Sequence, residues 1–175
     1  MEIGRIGLAV VALVGGGYAV TGEDDFEVTV LRSPSEVHSA FSSARTFSGG
    51  LSAHSTARIR TERPSPNELI YYAGDPGEEN GLRIALTFTP DDDGKRTVVT
   101  AAIDVPAIEY DIDGEAMVLS ESKVEDSFEE DIAAIAVELS QGRDARDELN
   151  AFRDKLDLVS IALDPDAVDR LQNGA

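Results

Sequence analysis

The sequence contains no cysteine and no tryptophan, and it has few aromatic and few basic residues. The absence of cysteine excludes disulfides, thiol catalysis and cysteine-ligated metals. Only 15 lysines and arginines stand against 34 aspartates and glutamates, which gives a formal net charge of −19. Because phosphate binding needs a basic surface, this charge argues against nucleic acid as a partner. It favours solubility and says nothing about the fold.

No apolar run is long enough for a full membrane span. Residues 6–22 carry no charge, and as a helix they would reach only about 25 Å, against about 30 Å for a bilayer core. The run has the dimensions of a secretory signal, with Arg5 before it and Gly17-Tyr18-Ala19 as a small-x-small cleavage site. We therefore predict that residues 1–22 are a signal peptide or a short membrane anchor. The domain is then exported, to the periplasm or beyond, and contacts the membrane only through residues 6–20 if uncleaved.

Two other interpretations of this run stay open. It can be a buried strand or helix of the globular fold, because apolar periodicity alone does not separate these cases. The glycines at Gly15-Gly16-Gly17 also resemble the first turn of a dinucleotide-binding site. However, Val20 stands where the third glycine belongs and an acidic turn follows, so the context argues against a nucleotide.

Strand patterns dominate the chain from residue 26 onward. Apolar and polar residues alternate most clearly over residues 82–89 and 97–105, with turn chemistry at Pro90-Asp91-Asp92-Asp93-Gly94 between them. These two segments are predicted to form an antiparallel hairpin. The other predicted strands are 26–31, 57–62, 68–73, 108–112 and 116–124, the last two joined by a turn at Asp113-Gly114.

Capping patterns predict where the helices begin. Ser33-Pro34-Ser35-Glu36 is typical of a helix start, with serine at the N-cap and glutamate three residues later. Ser127-Phe128-Glu129-Glu130 is a second such pattern, and it predicts a long amphipathic helix that ends at Gly142. A further helix is predicted over residues 146–158, and a short tail helix after Asp164-Pro165-Asp166.

The order of a strand, a capped helix, antiparallel strands and a long helix resembles the START and polyketide-cyclase (SRPBCC) superfamily. Residues 28–37, where a strand enters a helix through a Ser-Pro turn, and the hairpin over residues 86–100 carry this likeness. The resemblance covers residues 26–141 and implies an α+β, helix-grip-like fold, with a curved antiparallel sheet packed around the long helix. The sequence departs from the family in a helical C-terminal extension, residues 142–175, and in having His38 near the place of a frequent tryptophan.

The resemblance implies a cavity that binds lipids or other apolar molecules. We therefore expect a non-enzymatic, exported domain with an apolar or lipid-like ligand beneath the long helix. The expected lining residues are Phe41, Tyr71, Phe88, Phe128, Ile132 and Ile135. The alternative is an envelope structural or interaction protein with a filled core, and a third alternative is a cyclase- or hydrolase-like enzyme. The enzyme would need an ionisable side chain in the cavity, and the sequence leaves the oligomeric state open.

Candidates for catalysis and metal binding are few. His38 is expected on the surface of the first helix and His54 in a loop rich in glycine and serine. Neither histidine has a partner in the sequence that would orient its ring. Asp91-Asp92-Asp93 lacks the alternating ligand spacing of a calcium loop. We therefore predict no catalytic residue, no metal site and no cofactor.

Two neighbouring strands carry the remaining candidates. Tyr71 and Tyr72 fall on opposite faces of a strand, so that one of them faces the core. Arg58, Arg60 and Arg63 form a basic cluster in a very acidic chain. These arginines either pair with the protein's own acids or bind an anionic headgroup.

Overall fold

The structure, a computed structural model, describes residues 11–12, 16–20, 25–43, 59–73, 81–112 and 115–163. Within these ranges the elements are, in chain order, β1 (Val11–Ala12), β2 (Gly16–Val20), β3 (Asp25–Val30), α1 (Pro34–Ser43), β4 (Arg60–Glu62), β5 (Glu68–Ala73), β6 (Leu82–Asp91), β7 (Arg96–Asp104), β8 (Ile108–Ile112), β9 (Glu115–Leu119), α2 (Glu121–Ser140) and α3 (Arg146–Ala162). The predicted α+β class, with an antiparallel sheet and a C-terminal helix, is confirmed.

The main sheet has the strand order β3-β7-β6-β5-β4, and every neighbouring pair is antiparallel. The backbones of β1 and β2 continue this sheet beyond β3, while β8 and β9 form a separate two-stranded sheet. The first long strand, β3, therefore pairs with the last strand of the β4–β7 meander. The helices cover one face, with α2 against β3 and β7, and α1 against β5 and β6.

The predicted hairpin of β6 and β7 is confirmed, and its strands pair from Arg83–Asp104 to Asp91–Arg96. Alternate residues of both strands are buried under the helices, as the period of two requires. A single tight turn over Asp92–Gly94 joins the strands, and its backbone is left-handed at three successive positions. Aspartate and glycine are among the residues that adopt this conformation most readily.

The predicted start of α1 is confirmed. The helix begins at Pro34, and the Ser33 amide and hydroxyl both donate to Glu36 Oε2, at 3.1 and 2.7 Å. These hydrogen bonds to Ser33 lower the pKa of the Glu36 carboxyl below its ordinary value. The glutamate thus satisfies an amide that the helix itself leaves without a partner.

The predicted start of α2 at Ser127 is wrong. The helix begins two turns earlier, at Glu121 with Ser120 as its N-cap, and β9 ends at Leu119 rather than at residue 124. Val124 gives the physical reason, because it lies one turn before Phe128 on the same face and is buried. The apolar stripe of the helix therefore begins upstream of the capping pattern.

The predicted end of α2 at Gly142 is confirmed. The Arg143 amide donates to the Glu138 carbonyl at 2.9 Å, and the Gly142 amide donates to the Leu139 carbonyl at 3.1 Å. This pair of bonds is a Schellman motif, which needs a left-handed residue after the helix, and Gly142 has a φ of +71°. The Arg143 guanidinium also pairs with the Glu138 carboxylate, which lowers the pKa of that carboxyl.

The end of α2 is joined to the end of β3. The Leu31 amide donates to Ser140 Oγ, and Arg32 Nε donates to the Leu139 carbonyl, both at 3.0 Å. Thr97 Oγ1 of β7 donates to the Arg32 carbonyl at 2.8 Å. Three elements from distant parts of the sequence are therefore connected around Arg32.

We expect Gly142→Ala to destabilise the protein by about 1–2 kcal/mol, measured by denaturant unfolding. Alanine at a positive φ is strained, and its Cβ would lie 2.6 Å from Arg32 Nη2, so that the guanidinium must move. Gly94→Ala is the matched control, since Gly94 also has a positive φ but has open space around its Cβ position. Equal losses in the two variants would mean that the Arg32 contact contributes nothing.

Helix α3 begins at Arg146, as predicted, and runs to Ala162 rather than to residue 158. It contributes Leu149, Phe152 and Leu156 to the same buried core as the sheet. None of the helices in the described ranges combines the length and the apolar character that a membrane crossing requires. The predicted tail helix and the turn at residues 113–114 lie outside the described residues, as do residues 1–10, 13–15 and 21–22 of the predicted signal peptide or anchor.

Candidate functional site

The six side chains expected to line a cavity all lie in one buried core between the helices and the sheet. None of them is more than 1% exposed. They come from four separate elements, α1, β5, β6 and α2, and α2 contributes three of the six. The members are Phe41, Tyr71, Phe88, Phe128, Ile132 and Ile135. The sequence pattern thus identified residues that converge in space.

A seventh residue, Phe152 of α3, lies at the centre of this group. Its ring centroid is 5.4 Å from that of Tyr71, 5.7 Å from that of Phe128 and 6.4 Å from that of Phe41, with the planes steeply inclined in each pair. Phe41 in turn contacts Phe88 at 5.9 Å. The three contacts of Phe152 are edge-to-face, which is a favoured arrangement of buried aromatic rings. We call Phe41, Tyr71, Phe88, Phe128 and Phe152 the aromatic cluster.

The expected set of lining residues did not include Phe152. Its position on the α3 stripe with Leu149 and Leu156 is visible in the sequence, and all three side chains are buried. What the sequence does not contain is the placement of α3 across α1, α2 and β5, which depends on long-range packing. The stripe alone predicts that this face of α3 is buried, but not which elements it packs against.

Tyr71 places a polar group inside the aromatic cluster. Its hydroxyl donates a hydrogen bond of 2.8 Å to the Phe41 carbonyl near the end of α1. Burial raises the pKa of this hydroxyl above its ordinary value, because the charged phenolate would lose its solvation. The predicted orientation is confirmed, since Tyr71 is buried and Tyr72 is half-buried on the other face of β5. The hydroxyl is therefore used to fix β5 to α1.

His38 was expected on the surface of α1, but the structure shows it half-buried. Its ring lies edge-on to Phe88, with centroids 5.4 Å apart, and Nδ1 lies 3.4 Å from Ser42 Oγ. Nε2 is buried, and no hydrogen-bond partner for it exists in the described part of the chain. A histidine so placed packs as an aromatic ring at the edge of the cluster. The other histidine, His54, lies outside the described residues.

Lys155 holds α3 against α2. Its Nζ donates to the Ser127 carbonyl at 2.6 Å, pairs with Asp131 Oδ2 at 2.7 Å, and lies 5.6 Å from the centroid of the Phe128 ring. The Lys155 and Asp131 side chains are both partly buried, so this ion pair is less screened than a surface pair. The lysine thus balances the charge of an acid that lies beside the aromatic cluster.

We expect Lys155→Met to lower the free energy of unfolding by about 1–3 kcal/mol, because Asp131 then stays partly buried without its cation. Lys123→Met on the exposed side of α2 is the matched control, with an expected change within about 0.5 kcal/mol. The double variant with Asp131→Asn should recover part of the loss, as measured in a double-mutant cycle. A coupling energy of zero between the two positions would mean that the Lys155–Asp131 ion pair does not contribute to stability.

The remaining candidates lie on the surface. At the β6–β7 turn, Asp91 Oδ1 accepts from the Asp92 amide at 2.8 Å, and Asp92 pairs with Arg96 at 3.4 Å. Arg60 and Arg63 are exposed at the β4 edge, and Arg58 lies outside the described residues. Among the residues with described side chains, no three acids or histidines are grouped as metal ligands would be.

No protein-family model matches the chain, and no curated protein matches it significantly.

Proposed function

We propose that this chain is a non-enzymatic, exported binding protein with a filled core, which acts through its surface. The observation that supports this proposal is the position of Phe152. Its ring contacts three of the aromatic side chains that would line a ligand cavity beneath α2, and all of these rings are fully buried. Protein interiors are packed to crystal-like density, so rings in mutual contact leave no room for a second molecule.

A second candidate function is the binding of an apolar or lipid-like ligand in a helix-grip cavity. The pairing of β3 with β7 and the packing of α2 across these two strands support the resemblance to the SRPBCC superfamily. In this proposal the ligand takes the place of the Phe152 ring, and α3 moves away from α1 and β5. The convergence of the six expected lining residues favours it.

Native mass spectrometry of the full chain after mild extraction separates the two proposals. We expect the mass of the polypeptide alone, because the aromatic cluster already fills the space beneath α2. A retained mass of a few hundred daltons, released on denaturation, would contradict the filled core and favour the apolar ligand. An unrelated acidic protein extracted in parallel controls for detergent and lipid carry-over.

The same sample tests export. We propose that residues 1–22 direct the chain out of the cytoplasm, and are either cleaved near Ala19 or kept as a short tether. Cleavage at this point would remove most of β2, and the sheet would then begin at β3, which pairs with β7 along all six of its residues. The denatured mass from the secreted or membrane fraction distinguishes a cleaved from an uncleaved chain. A full-length chain found only in the cytoplasm would contradict export.

A further inference from the structure

The hairpin of β8 and β9 extends away from the core. Ile108, at the start of β8, is buried, and Leu119, its partner at the end of β9, packs against the core. Toward the turn, Met117 is 41% exposed and Val118 is 61% exposed. Because successive residues of a strand point to opposite faces, both faces of β9 are open to solvent at this level.

The outer edge of β9 has no strand partner in the part of the chain that the structure describes. Within the described ranges, β9 pairs with β8 alone. In an antiparallel ladder every second residue turns its N–H and C=O away from the partner strand. Only two residues separate Ile112 from Glu115, and the pair that closes so short a connection is hydrogen-bonded. Counting from this pair, Ala116 and Val118 direct their backbone groups outward.

Two of the strand edges that are open within the described ranges, those of β4 and β9, differ in composition. The β4 edge is three residues long, fully exposed, and carries Arg60 and Glu62, with Pro64 shortly after it. Charge, short length and nearby proline are the usual means by which proteins keep an edge from pairing. The β9 edge has Ala-Met-Val-Leu over residues 116–119 and continuous register, with no lysine, proline or bulge. Of these two edges, the β9 edge is therefore the one suited to receive another strand.

Charge indicates the kind of strand that fits. Glu109 lies directly across from Val118 on the same face of the hairpin and is exposed, and Glu121 and Asp126 are exposed at the start of α2. The chain as a whole carries a net charge of −19. Two copies of β9 would bring these acids together, whereas a strand with lysine or arginine would be attracted.

We propose that β9 is a docking edge for an extended basic segment of another protein, in which apolar residues alternate with lysine or arginine. The segment would add a third strand to the hairpin, with main-chain bonds to Ala116 and Val118, its apolar residues on the face of Met117 and its basic residues on the face of Glu109 and Val118. This inference rests on the proposed function, because it assigns the partner of a protein that acts through its surface.

The test uses the full chain and a blocked eight-residue peptide that alternates lysine and valine, studied by isothermal titration calorimetry at low salt. We expect Val118→Pro, which removes the outward N–H but is tolerated at an edge, to weaken binding at least about tenfold. Val118→Ala keeps this N–H, and should weaken binding less than about threefold. A peptide that alternates lysine and glycine has the same charge but poor strand propensity, and should bind at least about tenfold more weakly.

Hydrogen exchange of the wild-type chain gives a second measurement that needs no variant. The lysine–valine peptide should slow exchange at Ala116 and Val118, and leave β4 unchanged. Equal binding by the Val118→Pro variant, equal binding of the two peptides, or a Val118-dependent dimer in sedimentation would each overturn the proposal. These outcomes are independent of a ligand retained in native mass spectrometry, which would instead overturn the proposed function.

Discussion

Phe152→Ala is expected to destabilise the protein by about 3–5 kcal/mol in denaturant unfolding. The variant removes the ring that joins α3 to α1, α2 and β5, and it leaves an apolar cavity that the surrounding rings fill only in part. Globular domains are stable by only about 5–15 kcal/mol, so this single change removes a large fraction of the total. It is the largest effect that we expect from a single substitution in α3.

The matched control is Leu158→Ala on the solvent side of the same helix. Leu158 is 56% exposed, and its truncation should change the free energy of unfolding by less than about 0.5 kcal/mol. The cavity in Phe152→Ala is apolar, so it should stay dry and bind benzene or xenon, and benzene should raise the melting temperature of the variant. If the wild-type chain bound benzene equally well, the aromatic cluster would not be filled.

Tyr71→Phe is expected to lower the free energy of unfolding by about 1–2 kcal/mol at pH 8. The substitution keeps the ring in the aromatic cluster but removes the hydroxyl, so the Phe41 carbonyl loses its buried donor. Tyr72→Phe is the matched control, because it deletes the same atom from the next residue on the opposite, half-buried face of β5. We expect this control to change stability by less than about 0.5 kcal/mol. Equal losses in the two variants would contradict a role for the buried hydrogen bond.

The cost of Tyr71→Phe should shrink in alkaline solution. Burial raises the pKa of the Tyr71 hydroxyl above its ordinary value of 10.0, so the folded chain keeps this proton while the unfolded chain releases it. The stability that this proton contributes is complete below pH 10 and is lost as the pH rises beyond it, by at most about 1.4 kcal/mol per pH unit. Between pH 8 and pH 11, the free energy of unfolding should therefore fall more steeply in the wild type than in Tyr71→Phe. Parallel curves would contradict a buried, protonated tyrosine.

The sequence predicted those elements whose pattern is local. The hairpin of β6 and β7 has one buried and one exposed face, so its period of two is legible in the sequence. The start of α1 was predictable because Ser33 and Glu36 form their capping contacts within four residues. The start of α2 was not, because serine precedes acidic residues at both Ser120 and Ser127. Only the burial of Val124 against the sheet distinguishes the two positions.

The sequence predicted four of the five residues of the aromatic cluster, but not Phe152 at its centre. Phe41, Phe88 and Phe128 each lie on a periodic apolar face, and such faces are buried in nearly any compact fold. Phe152 lies on a comparable face, but its three ring contacts depend on where α3 crosses the rest of the molecule. Lys155 was missed for a related reason, since its partners Ser127 and Asp131 lie on another helix. Contacts between separate helices produce no periodic pattern in the sequence.

The bonds around Arg32 also bear on how the chain reaches its fold. The Leu31 amide and Ser140 Oγ are 109 residues apart in the sequence, and β3 pairs with β7 from about 70 residues away. Closing such long loops costs entropy before any contact is gained, and folding slows as the mean sequence separation of contacts grows. Phe152 lies still later in the chain, so the aromatic cluster forms only after residue 152 has been synthesised. Until then the apolar faces of the strands remain exposed, and exposed apolar surface promotes aggregation. The excess of acidic residues counteracts this by keeping the nascent chain soluble.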